Sequence, residues 1–240
     1  MAGGAYVALS GLRARMDHLD RLATDIANAG TSGYKSERAT TSSAERPSFD
    51  QALQSAVDVA PGPGRYDFRS GSIAATGRDL DVALNGPGFF VVQTPGGARY
   101  TRNGHFERSA DGTLETEDGM PVAGDSGPIT LGKCELTIDP DGTVRTGATV
   151  AGKLQVVDFA DTSALAREGN SRFAAADPAR ATPVKNPEIQ SGALEKSNVS
   201  MVERIAELTE VTRTFDALQK GVSVIMNDID GRAISELGRR

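Results

Sequence analysis

The segment LSGLRARMDHLDRLATDIA (residues 9–27) decides the fold of the N-terminal part of the chain. Its apolar residues recur at alternating steps of three and four, a spacing that aligns them along one face of an α-helix. The members of this N-terminal stripe are Leu9, Leu12, Met16, Leu19, Ala23 and Ile26. Such a narrow stripe is typical of helices that pack in a coiled coil. The sequence Asn28-Ala29-Gly30 then favours the end of the helix.

The C-terminal segment VERIAELTEVTRTFDALQKGVSVIMNDI (residues 202–229) carries the same pattern over a longer stretch. The members of this C-terminal stripe are Met201, Ile205, Leu208, Thr212, Phe215, Gln219, Val222, Met226 and Ile229. A helix from Asn198 to Glu236 would be roughly 58 Å long. Because one N-terminal helix covers only part of that length, we expect the rest of the stripe to pack against other subunits. The predicted assembly interface contains Leu9, Leu12, Met16, Leu19, Ile26, Ile205, Leu208, Phe215, Val222, Met226 and Ile229.

Between the two helices, the hydrophobic pattern changes to the alternation that is typical of β-strands. The turn sequence NGPG (residues 85–88) is followed directly by the apolar run FFVV (residues 89–92). Asn103-Gly104 separates two further alternating segments and is a strong hairpin signal. These features predict a small antiparallel β domain in the middle of the chain.

The predicted fold class is therefore α+β. The long terminal helices pair as a coiled-coil-like stem, and a central all-β domain of antiparallel strands lies between them on extended linkers. The predicted boundaries are an N-terminal assembly helix at 1–30, an extended linker at 31–80, the β domain at 81–158, a return linker at 159–196 and a C-terminal assembly helix at 197–240.

Composition argues against several functional classes. A net charge of −6 disfavours nucleic-acid partners, which require a basic face. One cysteine, Cys134, and two histidines leave little for a disulfide framework or a metal site. No apolar run approaches the ~20 residues of a membrane span, and Arg13 and Arg15 interrupt any N-terminal signal pattern early. We expect no cofactor and no membrane insertion, and we predict that His18, off the stripe, is solvated.

The segment GPITLGKC (residues 127–134) nearly matches a phosphate-binding loop and gives the alternative of a nucleotide-binding enzyme. A Ser or Thr hydroxyl would hold magnesium where Cys134 stands. The following residues, Glu135 to Ile138, continue as a predicted strand, so no helix N-terminus is available to hold phosphate. The sequence therefore predicts neither an ATP site nor an enzyme.

Four motifs resemble those of the flagellar basal-body rod and hook proteins. They are LATDIANAGTSGYK (22–35), LDVALNGPGFFVV (80–92), YTRNGHF (100–106) and GALEKSNV (192–199). The motifs occur in the family's order and span essentially the whole chain. Asp25 stands where the family usually has Asn, and Gly30 is unusual before Thr31.

The resemblance implies two sets of signature residues. In the turn and linkers they are Asn28, Thr31, Gly33, Tyr34, Leu194, Glu195, Ser197 and Asn198. In the β domain they are Asp81, Gly86, Gly88, Phe89, Phe90, Tyr100, Thr101, Arg102 and Gly104. The three glycines of the second set are expected to serve turn geometry rather than ligand binding.

The resemblance also implies a function. The chain would be a structural subunit of the bacterial flagellar basal-body rod, in its proximal part, with the distal part as the alternative and a soluble rod-assembly factor as a third. It would be exported through the flagellar type III apparatus without a cleaved signal peptide and would assemble in the periplasmic part of the basal body. Its partners would be copies of itself and other rod proteins, with a surrounding ring or the cell wall as further candidates.

Overall fold

A computed structural model of the protein describes residues 2–38, 65–132, 134, 136–169 and 171–237. For residues 2–10, 65, 222 and 225–237 it describes the backbone alone. The middle of the predicted 31–80 linker therefore lies outside the described residues. The chain divides into two compact units: unit 1 comprises Met1–Asn28 and Ser200–Arg240, and unit 2 comprises Ala29–Val199.

Unit 1 consists of two α-helices, α1 (Ala2–Ala27) and α2 (Met201–Leu237). The α1 helix ends where predicted, because Asn28 donates both its backbone N–H and its side-chain Nδ2 to the carbonyl oxygen of Thr24. Within the described residues, neither helix has an apolar stretch long and uncharged enough to cross a membrane. The prediction of two terminal helices around a β-rich centre is confirmed.

Unit 2 is built from short strands. Its first strands are β1 (Glu37–Arg38), β2 (Arg65–Tyr66), β3 (Ile73–Ala75), β4 (Val82–Asn85), β5 (Phe89–Thr94), β6 (Gly97–Thr101), β7 (Phe106–Arg108), β8 (Leu114–Thr116), β9 (Ala123–Gly124) and β10 (Gly127–Pro128). The later ones are β11 (Leu136–Ile138), β12 (Thr143–Thr146), β13 (Thr149–Lys153), β14 (Val156–Asp158), β15 (Leu165–Arg167), β16 (Arg172–Ala175), β17 (Thr182–Pro183), β18 (Glu188–Ser191) and β19 (Ala193–Glu195).

The largest sheet of the described residues has six strands in the order β15-β16-β6-β5-β14-β17. A three-stranded sheet, β11-β12-β13, and several two-stranded ribbons complete unit 2. Every pairing between these strands is antiparallel, as the turn signals predicted.

Two hydrophobic clusters form the core of unit 2, and strand β5 contributes to both. Side chains alternate between the faces of a strand, so the neighbours Phe89 and Phe90 enter different clusters. Phe90 packs edge to face on Phe106 at 5.4 Å between ring centroids, and both are fully buried. Phe89 packs with Phe159 and Phe173 in the other cluster.

The predicted boundaries of the β domain, 81–158, are too narrow. Strand β16 pairs with β6, β18 pairs with β4, and β19 pairs with β3, so the predicted return linker at 159–196 belongs to the sheets. Each of these strands is only three or four residues long and buries one or two apolar side chains, such as Phe173 and Ile189. Polar and proline-containing sequence between them obscures so short an alternation.

Candidate assembly interface

The two helices of unit 1 pack against each other through a face that only partly matches the predicted stripes. Leu22 on α1 and Val211 on α2 are the buried apolar residues of this face, at 2% and 4% exposure. Five predicted interface residues are half-buried: Leu12, Leu19, Ile26, Leu208 and Phe215. Leu22 and Val211 each lie next to the predicted stripe, so the packed faces are rotated from its centre.

This rotation leaves part of the predicted assembly interface exposed. Met16 is 53% exposed and Ile205 is 48% exposed, and Met201 and Val202 beside Ile205 are 49% and 80% exposed. The backbone of Leu9, Val222, Met226 and Ile229 is helical, and their side chains lie outside the described part of the chain. The helix pair therefore has apolar surface that its own partner helix does not cover.

Charged side chains connect the two helices at the edge of the packed face. Arg204 Nε on α2 lies 3.2 Å from the Asp25 Oδ2 atom on α1, and Asp25 is 1% exposed. Arg204 Nη1 donates to Glu207 Oε2 at 2.7 Å, and Glu207 Oε1 lies 3.0 Å from His18 Nε2. The prediction of a solvated His18 is wrong, because the ring contacts Glu207 and its side chain is only 20% exposed.

A second ionic cluster lies inside unit 2, where the sequence signatures meet. Lys35 Nζ donates to Glu195 Oε1 at 2.5 Å and to the carbonyl oxygen of Arg69 at 2.8 Å. Arg102 Nη1 lies 3.3 Å from Glu195 Oε2, and the backbone N–H of Gly71 donates to Glu195 Oε1. We call Lys35, Arg102 and Glu195 the charge hub.

The side chains of the charge hub are almost completely buried from solvent. The Lys35 and Glu195 side chains are 0% exposed, and that of Arg102 is 4% exposed. Burial lowers the pKa of Lys35 and of Arg102, and the carboxylate of Glu195 opposes that shift in both. Arg102 also donates to the carbonyl oxygens of Leu84 and Gly86, which ties the NGPG turn to the hub.

Asn198 joins three segments beside the charge hub. Its Oδ1 accepts the backbone N–H of Ser36 at 2.8 Å, and its Nδ2 donates to the carbonyl oxygens of Asp67 and Arg69. The backbone N–H of Gly33 donates to the carbonyl oxygen of Glu195 at 2.8 Å. The segments 33–36, 67–71 and 195–198 are thereby bound to one another, and we call this junction the neck of unit 2.

Tyr34 holds the other side of the neck. It is 3% exposed, and Arg167 Nη1 donates to its hydroxyl at 2.8 Å. The Arg167 guanidinium lies over the Tyr34 ring at 4.3 Å and over the Tyr66 ring at 4.6 Å, which are favourable cation–π distances. Its Nη2 also donates to the carbonyl oxygen of Lys35.

The remaining signature residues serve the backbone or the core. Thr31 accepts the N–H of Tyr34 through its carbonyl oxygen, Leu194 pairs with Ala74, and Ser197 Oγ accepts the N–H of Val199. Asp81 is buried and its carboxylate lies 2.7 Å from His105 Nδ1. Thr101 Oγ1 donates to the carbonyl oxygen of Ser171.

The signature glycines serve close backbone contacts or a positive φ, and the signature aromatic residues lie in the core. A Cβ on Gly104 would lie 1.8 Å from the Val82 carbonyl oxygen. Gly86 and Gly88 have φ of 105° and 117°, a region that favours glycine. Tyr100 is buried in the same cluster as Phe89.

Asp67 is the titratable group of the neck with the clearest pKa shift. Burial alone would raise the pKa of its carboxyl, but hydrogen bonds from Arg69 and Arg38 lower it well below the usual range. Arg69 Nε lies 2.8 Å from Asp67 Oδ2, and Arg38 Nη2 lies 2.9 Å from the same atom.

This depressed pKa predicts a dependence of stability on acid. A carboxyl whose folded pKa is below its unfolded value stabilises the fold above about pH 4, and this contribution is lost as the pH falls toward the folded pKa. We expect the midpoint temperature of unfolding to fall between about pH 5 and about pH 2, and Asp67→Asn to flatten that fall. Calorimetry across this range measures it, with the exposed Asp111→Asn as control. An equal slope in Asp67→Asn and the unchanged protein would contradict the assignment.

Comparison of the sequence with known proteins finds two matching family models. Residues 83–146 match the flagellar hook protein FlgE/F/G D1 domain, and residues 190–234 match the C-terminal region of the flagellar basal body rod FlgEFG proteins. The flagellar basal-body rod protein FlgF of Caulobacter vibrioides is 33% identical over 251 residues, which cover 100% of this chain and 99% of that protein. The chain belongs to the flagellar basal-body rod protein family.

Other flagellar rod proteins extend the match. FlgF of Rhizobium meliloti is 32% identical, over 99% of both chains. FlgG of Buchnera aphidicola is 26% identical, over 93% of this chain and 95% of that protein. The predicted family is confirmed, and its matching members include both FlgF and FlgG.

A flagellar rod protein is a structural component rather than an enzyme, as the sequence predicted. In the segment that resembles a phosphate-binding loop, β10 pairs with β9, and the next described element is strand β11 rather than a helix. Among the described residues, no group of His, Cys, Asp and Glu side chains is arranged to hold a metal ion. Cys134 is exposed.

Proposed function

We propose that the chain is a subunit of the proximal flagellar rod, which polymerises through its terminal helices into the axial tube that transmits torque and passes exported subunits. One observation carries the assembly role. After α1 and α2 have packed together, Met16, Met201 and Ile205 of the predicted stripes remain about half exposed. Burial of a large apolar side chain from full exposure contributes roughly 1.5–3 kcal/mol, and about half of that remains for a neighbouring subunit that covers the exposed half of each.

The pairing of the two helices as a coiled-coil-like stem belongs to the same proposal. On α1, the residues Leu12, Leu19 and Ile26 lie seven positions apart. Leu208 and Phe215 have the same separation on α2. This is the spacing of helices that pack along a shared apolar line. Copies of the chain and other rod proteins would then add helices around the exposed part of the stem.

The proximal position is proposed from the relatives. FlgF of Caulobacter vibrioides and of Rhizobium meliloti share 33% and 32% identity with the chain, whereas FlgG of Buchnera aphidicola shares 26%. Export through the flagellar type III apparatus without a cleaved signal, and a place in the periplasmic part of the basal body, complete the proposal. Imaging isolated basal bodies with a tag in unit 2 tests the position, and a distal signal contradicts it.

Ile205→Asp tests assembly through the exposed stripe. Because Ile205 is 48% exposed, about half of its burial is already realised in the monomer, and we expect the free energy of unfolding of the full chain to fall by no more than about 1.5 kcal/mol. Assembly buries the new carboxylate without a partner, so we expect loss of motility and absence of the chain from purified basal bodies.

Ala206→Asp is the matched control, because it adds the same charge at the neighbouring exposed position outside the stripe. It should assemble and support motility. Normal incorporation of Ile205→Asp would contradict the proposed interface. Absence of the unchanged chain from basal bodies would contradict the rod role and favour a soluble assembly factor.

A further inference from the structure

Three charged residues and one histidine between α1 and α2 form a continuous chain of contacts. Asp25 contacts Arg204, Arg204 contacts Glu207, and Glu207 contacts His18. As the residue number rises on α1 from His18 to Asp25, that of the partner falls on α2 from Glu207 to Arg204. The contacts therefore occur between antiparallel helices in one particular register.

The apolar residues that repeat by heptads do not by themselves fix that register. Leu12, Leu19 and Ile26 recur one heptad apart on α1, and Leu208 and Phe215 recur one heptad apart on α2. A slip of one heptad replaces contacts among these five residues by similar ones, so these repeated residues distinguish the registers only weakly.

The charged residues break this equivalence. A slip of one heptad in one direction brings Asp25 to the level of Val211, which is 4% exposed. A carboxylate buried against an apolar side chain loses its hydration without gaining a partner. In the native register the same carboxylate lies 3.2 Å from Arg204 Nε, so the penalty applies to that slipped state and not to the native one.

We propose that Asp25 and Arg204 are the residues that determine the register of α1 against α2. Buried ion pairs add little net stability relative to apolar replacements, and fixing a register is their best-attested use. The consequence rests on the proposed function: the register sets where Met16 lies relative to Ile205 along the stem, and so sets the apolar surface that a neighbouring subunit meets.

Distances between spin labels on the two helices test the proposal in the full-length monomer. The labels are attached to cysteines at the exposed positions Ala14 and Arg213, in a Cys134→Ser background that removes the native thiol. The labelled protein with Asp25 and Arg204 unchanged should give one distance population. The double variant Asp25→Leu, Arg204→Leu should give a second population in which one helix has slipped by about 10 Å along the axis.

Two further variants make the outcome decisive. Asp20→Leu, which makes the same chemical change on the exposed face of α1, should retain a single population. The variant Asp25→Arg, Arg204→Asp, Glu207→Arg, His18→Glu places opposite charges at every contact of this chain and should retain the native distance. If Asp25→Leu, Arg204→Leu separates the helices instead of shifting them, the charge-reversed variant still tests whether these contacts determine the register.

A single unshifted population in Asp25→Leu, Arg204→Leu would overturn the proposal, and so would loss of the native distance in the reversed variant. These measurements need no assembled rod. Absence of the unchanged chain from basal bodies would overturn the proposed function alone and leave the assignment of the register residues standing.

Discussion

Glu195→Ala is expected to lower the free energy of unfolding of unit 2 by about 3–5 kcal/mol, because it removes the only carboxylate of the charge hub. Glu195 contacts both Lys35 and Arg102, and the three side chains are at most 4% exposed. Without Glu195, two positive charges remain buried close together. The substitution also removes the acceptor of the Gly71 N–H.

Denaturant unfolding of the full chain, followed by amide exchange in residues 65–199, measures the loss. Glu117→Ala removes a carboxylate from an exposed position of the same unit and should change stability by less than about 0.5 kcal/mol. Adding Lys35→Met to Glu195→Ala should restore part of the stability, because it removes one of the uncompensated charges. A loss below about 1 kcal/mol in Glu195→Ala would refute the role of the hub.

Gly33→Ala is the second substitution with a large expected effect, about 2–5 kcal/mol. Gly33 has a φ of 67°, and a Cβ there would lie 2.2 Å from the backbone nitrogen of Asn103. Backbone cannot rotate away as a flexible side chain can, so residues 102–103 must shift. That shift would disturb Arg102 and hence the charge hub.

Gly77→Ala separates the cost of the positive φ from the cost of the clash with Asn103. Gly77 has a similar φ of 72°, with no atom within 4 Å of the added Cβ. It should therefore show only the conformational penalty, about 1–2 kcal/mol. Chemical denaturation of both variants gives the difference, and equal losses would show that the contact with Asn103 is unimportant.

The sequence predicts the elements whose pattern is long and regular. The apolar stripes predict both terminal helices, and turn dipeptides such as Asn103-Gly104 predict the antiparallel centre of the chain. The strands after residue 158 are missed because each is too short to show an alternation. Their place in the sheets depends on partners such as β4 and β6, which are distant in the sequence.

The candidate interface is predictable only where it is apolar. Asp25 and Arg204 lie outside the stripes, where a charged residue ordinarily faces water, so periodicity alone does not place them between helices. Lys35 and Glu195 are separated by 160 positions, and their contact exists only once the sheets have formed. The resemblance to rod proteins identifies Tyr34, Glu195 and Asn198 as signature residues. Their shared role in the neck is visible only in the folded structure, where distant segments of the chain meet.

The neck also has a topological consequence. Since Gly33 and Glu195 are joined by one backbone hydrogen bond of 2.8 Å, the polypeptide enters and leaves unit 2 at the same point. Unit 2 is thus a closed insertion: the segment between these residues could be excised and its ends rejoined by a short peptide without stretching the chain. A longer or shorter insertion at this point would leave the two chain segments at Gly33 and Glu195 side by side.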